Sequence, residues 1–382
     1  MQKKIIALAI AAAFSAPAFA DTTVYGVLDV GYANTAKTVE TSTTSVKSAN
    51  AAFAYNTQAS SRLGFQATQD LGDGMKAMVK VETGIGSNQM AASTQNAAKT
   101  AIATNGLTID ATTLGSRELW TALMFGGTTI KAGYGSTLVR DISLGYDAAP
   151  GGNLVGNALN NDATLSSNRV VGATVAQNFG AITGTVMVST NTNTTDGVND
   201  VKSNSGYLLG LQFNQGPISA GFAYQSLKNA TNAVAYAAPT TGNGTTTVST
   251  LGTAAVAATD TTQKITILAG SYDLGVAKLF AEYANVKKDD NITAASSTKK
   301  TYESIGADFP ITTAAMVFVQ LSNGKVDSTV SQNVKGYTLG GKYNFSKTSY
   351  AYASVGENKL DQTGAVTGDK VDQYTIGLVH IF

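Results

Sequence analysis

Side chains able to do chemistry are scarce in this chain. Cysteine is absent, histidine occurs once (His380), and arginine occurs four times, at Arg62, Arg117, Arg140 and Arg169. Without Cys there is no thiol nucleophile, thiolate metal site or iron–sulfur cluster. A single His near the C-terminus leaves no base to serve a nucleophilic Ser. Gly133-Tyr134-Gly135 lacks the third glycine of a dinucleotide loop and opens no helix. What remains is charge, which attracts, repels and orients without making bonds. The formal net charge of +1 gives no bulk pull toward nucleic acid, and no metal or other cofactor is expected.

The elements that must position these charges are strands. Only 13% of the 382 residues are charged, about half of the roughly 25% usual in a soluble domain. Yet no internal run reaches the ~18 apolar residues of a membrane-spanning helix. Alternation explains both facts. Tyr207, Leu209, Leu211 and Phe213 share one face, with Leu208, Gly210, Gln212 and Asn214 on the other. After Gln215-Gly216-Pro217 the alternation resumes from Ile218 to Gln225. Period two on both sides of turn residues predicts a hairpin. Six more hairpins read the same way, turning at 71–74, 126–127, 179–180, 273–275, 310 and 346–347. With Thr22–Asn34 and Lys370–Phe382 the total is sixteen strands.

Between the hairpins lie stretches without sustained periodicity: 35–58, 86–115, 137–167, 191–205, 228–262, 287–299, 323–333 and 358–369. Long and short connections alternate strictly. That pattern predicts an all-β fold: a 16-stranded antiparallel transmembrane β-barrel with one ragged and one trim rim. Sixteen strands enclose a space too wide for side chains to fill, and closure pairs every backbone group in lipid. A β-solenoid would show a fixed short repeat, and a soluble sandwich a denser apolar core than an inward face of Gly, Ser, Thr, Gln and Lys supplies.

Both ends carry addresses. Lys3 and Lys4, an apolar run from Ile5 to Phe14, and Ala18-Phe19-Ala20 read as a leader over 1–20 cleaved before Asp21. Its removal leaves a barrel domain over 21–382 with a formal charge of −1. At the other end Tyr374, Ile376, Leu378, His380 and Phe382 share one face. This terminal pattern is similar to the signal that bacterial barrel-assembly machinery reads, and it gives His380 a place at the membrane interface.

The segments Tyr25–Asp29, Ser61–Phe65, Asp70–Ala77 and Arg117–Gly127, with the terminal Gly377-Leu378-x-His380-x-Phe382, resemble the Gram-negative general porins of the neisserial and betaproteobacterial type. The resemblance spans essentially all of 21–382, although 86–115 and 228–262 are not recognisable. It implies a homotrimer in the outer membrane, among lipid and lipopolysaccharide, passing small hydrophilic solutes and ions by passive diffusion. It also implies that the third long loop, 137–167, folds into the lumen as a constriction.

Charge placement then nominates pore residues. Alternation turns Leu63, Phe65 and Ala67 outward and Arg62 inward; Val79 turns outward and Lys80 and Glu82 inward. An Arg or Lys at the lipid midplane costs about 2–4 kcal/mol, which fixes that direction. Arg62, Lys80, Lys131 and Arg169 form a basic arc. The loop carries Asp141, Asp147 and Asp162 beside Arg140, so an acidic loop facing a basic wall would set a transverse field. The bland readings are ordinary solvated charge for the arc and turn formation for the Asp residues. Ala132-Gly133-Tyr134 departs from the family pattern, which places an Arg near the end of the fifth strand. The arc predicts weak anion selectivity. Two other readings stay open: a substrate-selective channel, with Tyr25, Tyr134 and Tyr146 as members of an aromatic track, and an adhesive barrel acting through its Thr- and Ala-rich loops.

Overall fold

A computed structural model describes residues 20–41, 43–85, 114–149, 151–192, 203–231, 259–292, 296–362 and 368–382. The expected leader, including Ala18 of its expected cleavage site, and most of 86–115 and 228–262 lie outside the described residues. The strands are β1 (Ala20–Glu40), β2 (Ser45–Tyr55), β3 (Arg62–Gly72), β4 (Met75–Gly84), β5 (Glu118–Phe125), β6 (Thr128–Ser136), β7 (Arg169–Asn178), β8 (Ile182–Thr192) and β9 (Ser203–Gln215). They continue with β10 (Ile218–Thr231), β11 (Thr259–Asp273), β12 (Lys278–Asp290), β13 (Thr298–Pro310), β14 (Ala315–Asp327), β15 (Gln332–Asn344), β16 (Ser349–Gln362) and β17 (Gly368–Ile381). No helix among the described residues is long and apolar enough to cross a membrane.

Each strand from β3 onward pairs antiparallel with the next, and β1 pairs with β17 from Val27↔Ile381 to Glu40↔Gly368, closing the sheet. Its other edge is shared, because β2 pairs with Val30–Glu40 and β3 with Ala20–Val27. β2 and β3 are thus two halves of one wall strand, and the seventeen segments fill sixteen positions. Between them residues 56–61 turn inward as an elbow. Asp29, fully buried in β1, fixes that elbow: its carboxylate accepts from the backbone N–H of Gln58 (2.6 Å) and Ala59 (2.7 Å) and from the Tyr352 hydroxyl (2.8 Å). Asn56 there takes φ of 62°, a left-handed conformation that Asn tolerates.

Six of the seven tight turns fall where the turn residues place them; the seventh, expected at Pro310, lies at 311–314, because Pro310 still pairs with Met316 as the last residue of β13. Several stretches expected as loops are instead strand extensions. Most of 35–58 is the β1–β2 hairpin closed at Thr41–Thr44, and β12–β13 and β14–β15 also extend well into their gaps. Polar alternation outside the apolar belt has low contrast, so these rim extensions escape a periodicity reading.

The outer face is apolar: Phe65, Val79, Leu119, Leu209, Leu268, Ile305, Leu339 and Ile376 are all exposed there. The inner face is not uniformly polar as expected. Leu208, Ala223, Ile265, Ile267, Ala284 and Val286 point inward on β9–β12 and are nearly inaccessible. They are covered by residues 137–168, which contain three short helices that the sequence reading did not foresee: α1 (Leu138–Gly145), α2 (Ala158–Asn161) and α3 (Ala163–Ser166). Thr137 caps α1, and Leu138, Val139 and Ile142 form its buried stripe. With Leu159 and Leu165 they pack on that wall, each contributing about 1.5–3 kcal/mol of burial.

Polar contacts fix the loop's path. Ala148 N–H donates to Gln320 Oε1 (3.1 Å), Thr338 Oγ1 donates to Val155 O, and Ser322 Oγ donates to Gly156 O (2.6 Å). Gly156 has φ of 115°, and a Cβ there would lie 2.0 Å from Tyr337 O, so only glycine lets the loop lie on β15. Gly156→Ala carries at least about 1–3 kcal/mol of strain and is expected to lower the melting temperature in detergent without changing the strand signal in circular dichroism. An unchanged melting temperature would contradict this packing.

Candidate functional site

Where α1 and the rest of the loop stop short of the opposite wall, a cavity of about 670 Å³ remains. All four arginines of the chain line it, together with Lys80 and Lys131. The acids around it are Glu82, Glu118 and Asp141, so the formal charge of the ring is six positive against three negative.

The wall acids are already engaged. Glu82 Oε1 accepts from Arg117 Nε at 2.7 Å, and its Oε2 lies 3.7 Å from Arg62 Nε and 3.8 Å from Lys80 Nζ and accepts from the Tyr25 hydroxyl at 2.9 Å. One carboxylate thus serves three cations, which strand register brings together from β3, β4 and the residue before β5. Glu118 accepts from Trp120 Nε1 (2.7 Å), Ser136 N–H (3.1 Å) and Ser136 Oγ (2.6 Å). By contrast, Nε of Arg140 and Nε of Arg169 have no hydrogen-bond partner among the described residues. Arg140 donates only a long bond to Ser136 Oγ (3.4 Å) and stands 3.9 Å from Asp141. Burial, with Arg169 and Arg117 alongside, presses Arg140 down to about 10, so it stays cationic at neutral pH.

The nominated residues divide. Arg62, Lys80, Lys131, Arg140, Asp141 and Arg169 meet around one cavity. Asp147 and Asp162 turn away from it, and with them goes the expected face of loop acids. Asp162 caps α3 through Thr164 N–H, sits 2.8 Å from Lys300 Nζ and accepts from the Tyr302 hydroxyl at 3.0 Å. Burial pushes its carboxyl up, but the Lys300 ammonium outweighs this and holds it below the ordinary value. Asp147 accepts from Ala149 N–H (2.9 Å) and from Asn160 Nδ2. Asp162 ties the loop to β13, and Asp147 is bound within the loop's own fold.

The aromatic candidates also separate. Tyr25 stands over Lys80 (5.5 Å from ring centroid to Nζ). Tyr146 is buried, its hydroxyl 2.8 Å from Ser219 Oγ. Register sets Tyr134 opposite Leu119 and Val171, both exposed on the outer face, so it belongs to no lumenal track. The sequence reading passed over Arg117, Glu118 and Trp120. Their signal was available, since Arg117 is one of four arginines and Trp120, three residues further on in β5, is the sole tryptophan.

At the seam, Tyr374, Ile376 and Leu378 point outward, about 60% exposed each. His380 Nδ1 lies 2.8 Å from Ser349 Oγ, its ring stacks near Phe382, and Phe382 exchanges backbone hydrogen bonds with Gly26.

Asp147 is pushed up to about 7, first by burial, with Asp308 adding to it against the hydrogen bonds from Ala149 and Asn160. A carboxyl raised on folding binds its proton more tightly in the folded state. Its contribution is therefore fully present below about pH 4 and is lost as pH rises through about 7. Asp147→Asn is expected to raise the melting temperature at pH 8 and to narrow its difference from pH 5. Asn160, whose Oδ1 is unpartnered, can flip to accept from the new amide. An unaltered pH profile would refute this origin.

A family model described as Gram-negative porin matches residues 7–363. No curated protein sequence matches the chain. Among solved structures, the anion-selective porin of Comamonas acidovorans superposes with a TM-score of 0.63 at 18% identity, covering 95% of this chain and 100% of that one. The in-vitro folded OmpT of Vibrio cholerae gives 0.62 at 13%, covering 95% and 98%. OmpF of Salmonella typhi, solved with daunomycin, gives 0.54 at 15%, covering 94% and 97%. At these identities the likeness is one of fold.

Proposed function

The chain belongs to the Gram-negative porin family and forms a diffusion channel in the outer membrane; we propose that this channel prefers anions, and that the narrowing between loop 137–167 and the β3–β7 wall sets the preference. The observation that carries this reading is the excess of cations around one cavity, with both wall acids already saturated by hydrogen bonds and ion pairs. Arg140 matters most, because it puts a cation on the loop side, where an acid would have set up a transverse field. Anions meet guanidinium on both sides and exchange part of their water for N–H donors. Contacts in an open, wet cavity stay weak enough for release, as passage requires.

The printed description of the Comamonas relative as anion-selective supports the same sign. A trimer form of OmpT among the structural neighbours supports a homotrimer. The proposal extends to small hydrophilic solutes, to contact with lipopolysaccharide, to recognition of the Tyr374–Phe382 face by the barrel-assembly machinery, and to removal of residues 1–20. Nothing in this channel is asked to catalyse a reaction.

In a salt gradient across a planar bilayer, the reversal potential is expected to have the anion-selective sign. A unit charge about 7 Å away in water is worth roughly 0.6 kcal/mol before screening, so Arg140→Glu should shift the permeability ratio severalfold toward cations. Glu82→Gln, which uncovers Arg62, Lys80 and Arg117, should shift it the other way. A cation-selective wild type would overturn the reading. Amino-terminal sequencing of the membrane-inserted protein is expected to start at Asp21, and a start at Met1 would refute the leader.

A further inference from the structure

Trp120 stands where a membrane barrel has no general use for tryptophan. Aromatic girdles face lipid at the two interfaces, whereas Trp120 points inward between the outward Leu119 and Thr121 and lines the charged cavity, half-buried. Glu118 holds the indole N–H and so fixes the plane of the ring. On one side register sets Lys80 opposite Trp120; on the other it sets Gly133, and beyond that Gly172. Two successive strands thus bring no side chain at this level, and their backbone packs close: a Cβ at Gly133 would lie 2.6 Å from Trp120 Cα, and one at Gly172 2.4 Å from Val188 O. The Lys131 ammonium lies 5.6 Å from a ring centroid of the indole. Arg169 opens β7 opposite Ser136, which itself donates to Glu118, and its Nε has no partner.

An indole that lines the cavity, with the Lys131 ammonium over its ring and Arg169, whose Nε has no partner among the described residues, in the same lining, complements a flat anion with an apolar body. We propose that Trp120, Lys131 and Arg169 form a lumenal subsite for monocyclic aromatic carboxylates, which lie with the ring against the indole and the carboxylate toward the two cations. The proposal rests on the anion-preferring reading and narrows it to a substrate class. Aliphatic carboxylates use the same cations but gain nothing from the indole, so the aromatic anion is favoured about fivefold, the worth of one ring-on-ring contact.

The test uses the purified, refolded protein in planar bilayers, with benzoate and cyclohexanecarboxylate as probes of equal charge and similar size. Benzoate is expected to interrupt the single-channel current at lower concentration by that margin; Trp120→Leu should abolish the difference and Trp120→Tyr should retain it. Because the protein has one tryptophan, its fluorescence reports the same event: emission should respond saturably to benzoate and not to cyclohexanecarboxylate. If Trp120→Leu does not insert, the two readouts on the unaltered protein decide. Equal potency of the probes with unresponsive fluorescence, or discrimination that survives in Trp120→Leu, overturns the subsite and leaves anion preference standing. A cation-selective reversal potential in the same bilayers overturns both.

Discussion

Fourteen residue pairs join the first strand to the last, from Val27↔Ile381 to Glu40↔Gly368, and the rest of the molecule depends on that seam. An open sheet in lipid would expose a row of N–H and C=O groups with no water to pair them, at several kcal/mol each. Closure removes the edge and creates an inside. The seam continues to the last residue, where Phe382 and Gly26 exchange backbone hydrogen bonds, so the chain end is part of the wall.

An inside sixteen strands wide has to be furnished, and here hydrophobic burial and electrostatics are linked. β9–β12 carry apolar residues on the inner face as well, among them Leu208, Ala223, Ile265, Ile267 and Ala284, and an apolar inner wall cannot face water without cost. Loop 137–167 supplies the cover through Leu138, Val139, Ile142, Leu159 and Leu165. Seating that stripe on one wall leaves Arg140, on the same helix, lining the space toward the other. Asp147 and Asp162 hold the loop in place and are withdrawn from the lumen by doing so. The polarity of the channel is thus a by-product of how the loop is anchored.

The relatives sharpen this point. At 13–18% identity the barrel persists, because alternation and turns tolerate almost any residue of the right class. The character of each lumen rests on a handful of side chains. In this chain they include a carboxylate shared by three cations and an indole beside two glycines.

The sequence by itself determined the barrel, its strand count, most of its tight turns and the inward direction of Arg62, Lys80 and Glu82. These follow from period two, turn chemistry and the cost of charge in lipid, all of which act over a few neighbouring residues. Only the tertiary structure decided which charges meet. Arg117 and Glu82 lie 35 residues apart and touch through register, and Tyr134 faces outward because it opposes Leu119 and Val171. Asp141, Asp147 and Asp162 look alike in the loop, yet one lines the cavity, one is bound within the loop and one binds the wall, because that choice depends on how the loop folds and which distant strand each segment reaches, and no local pattern records it.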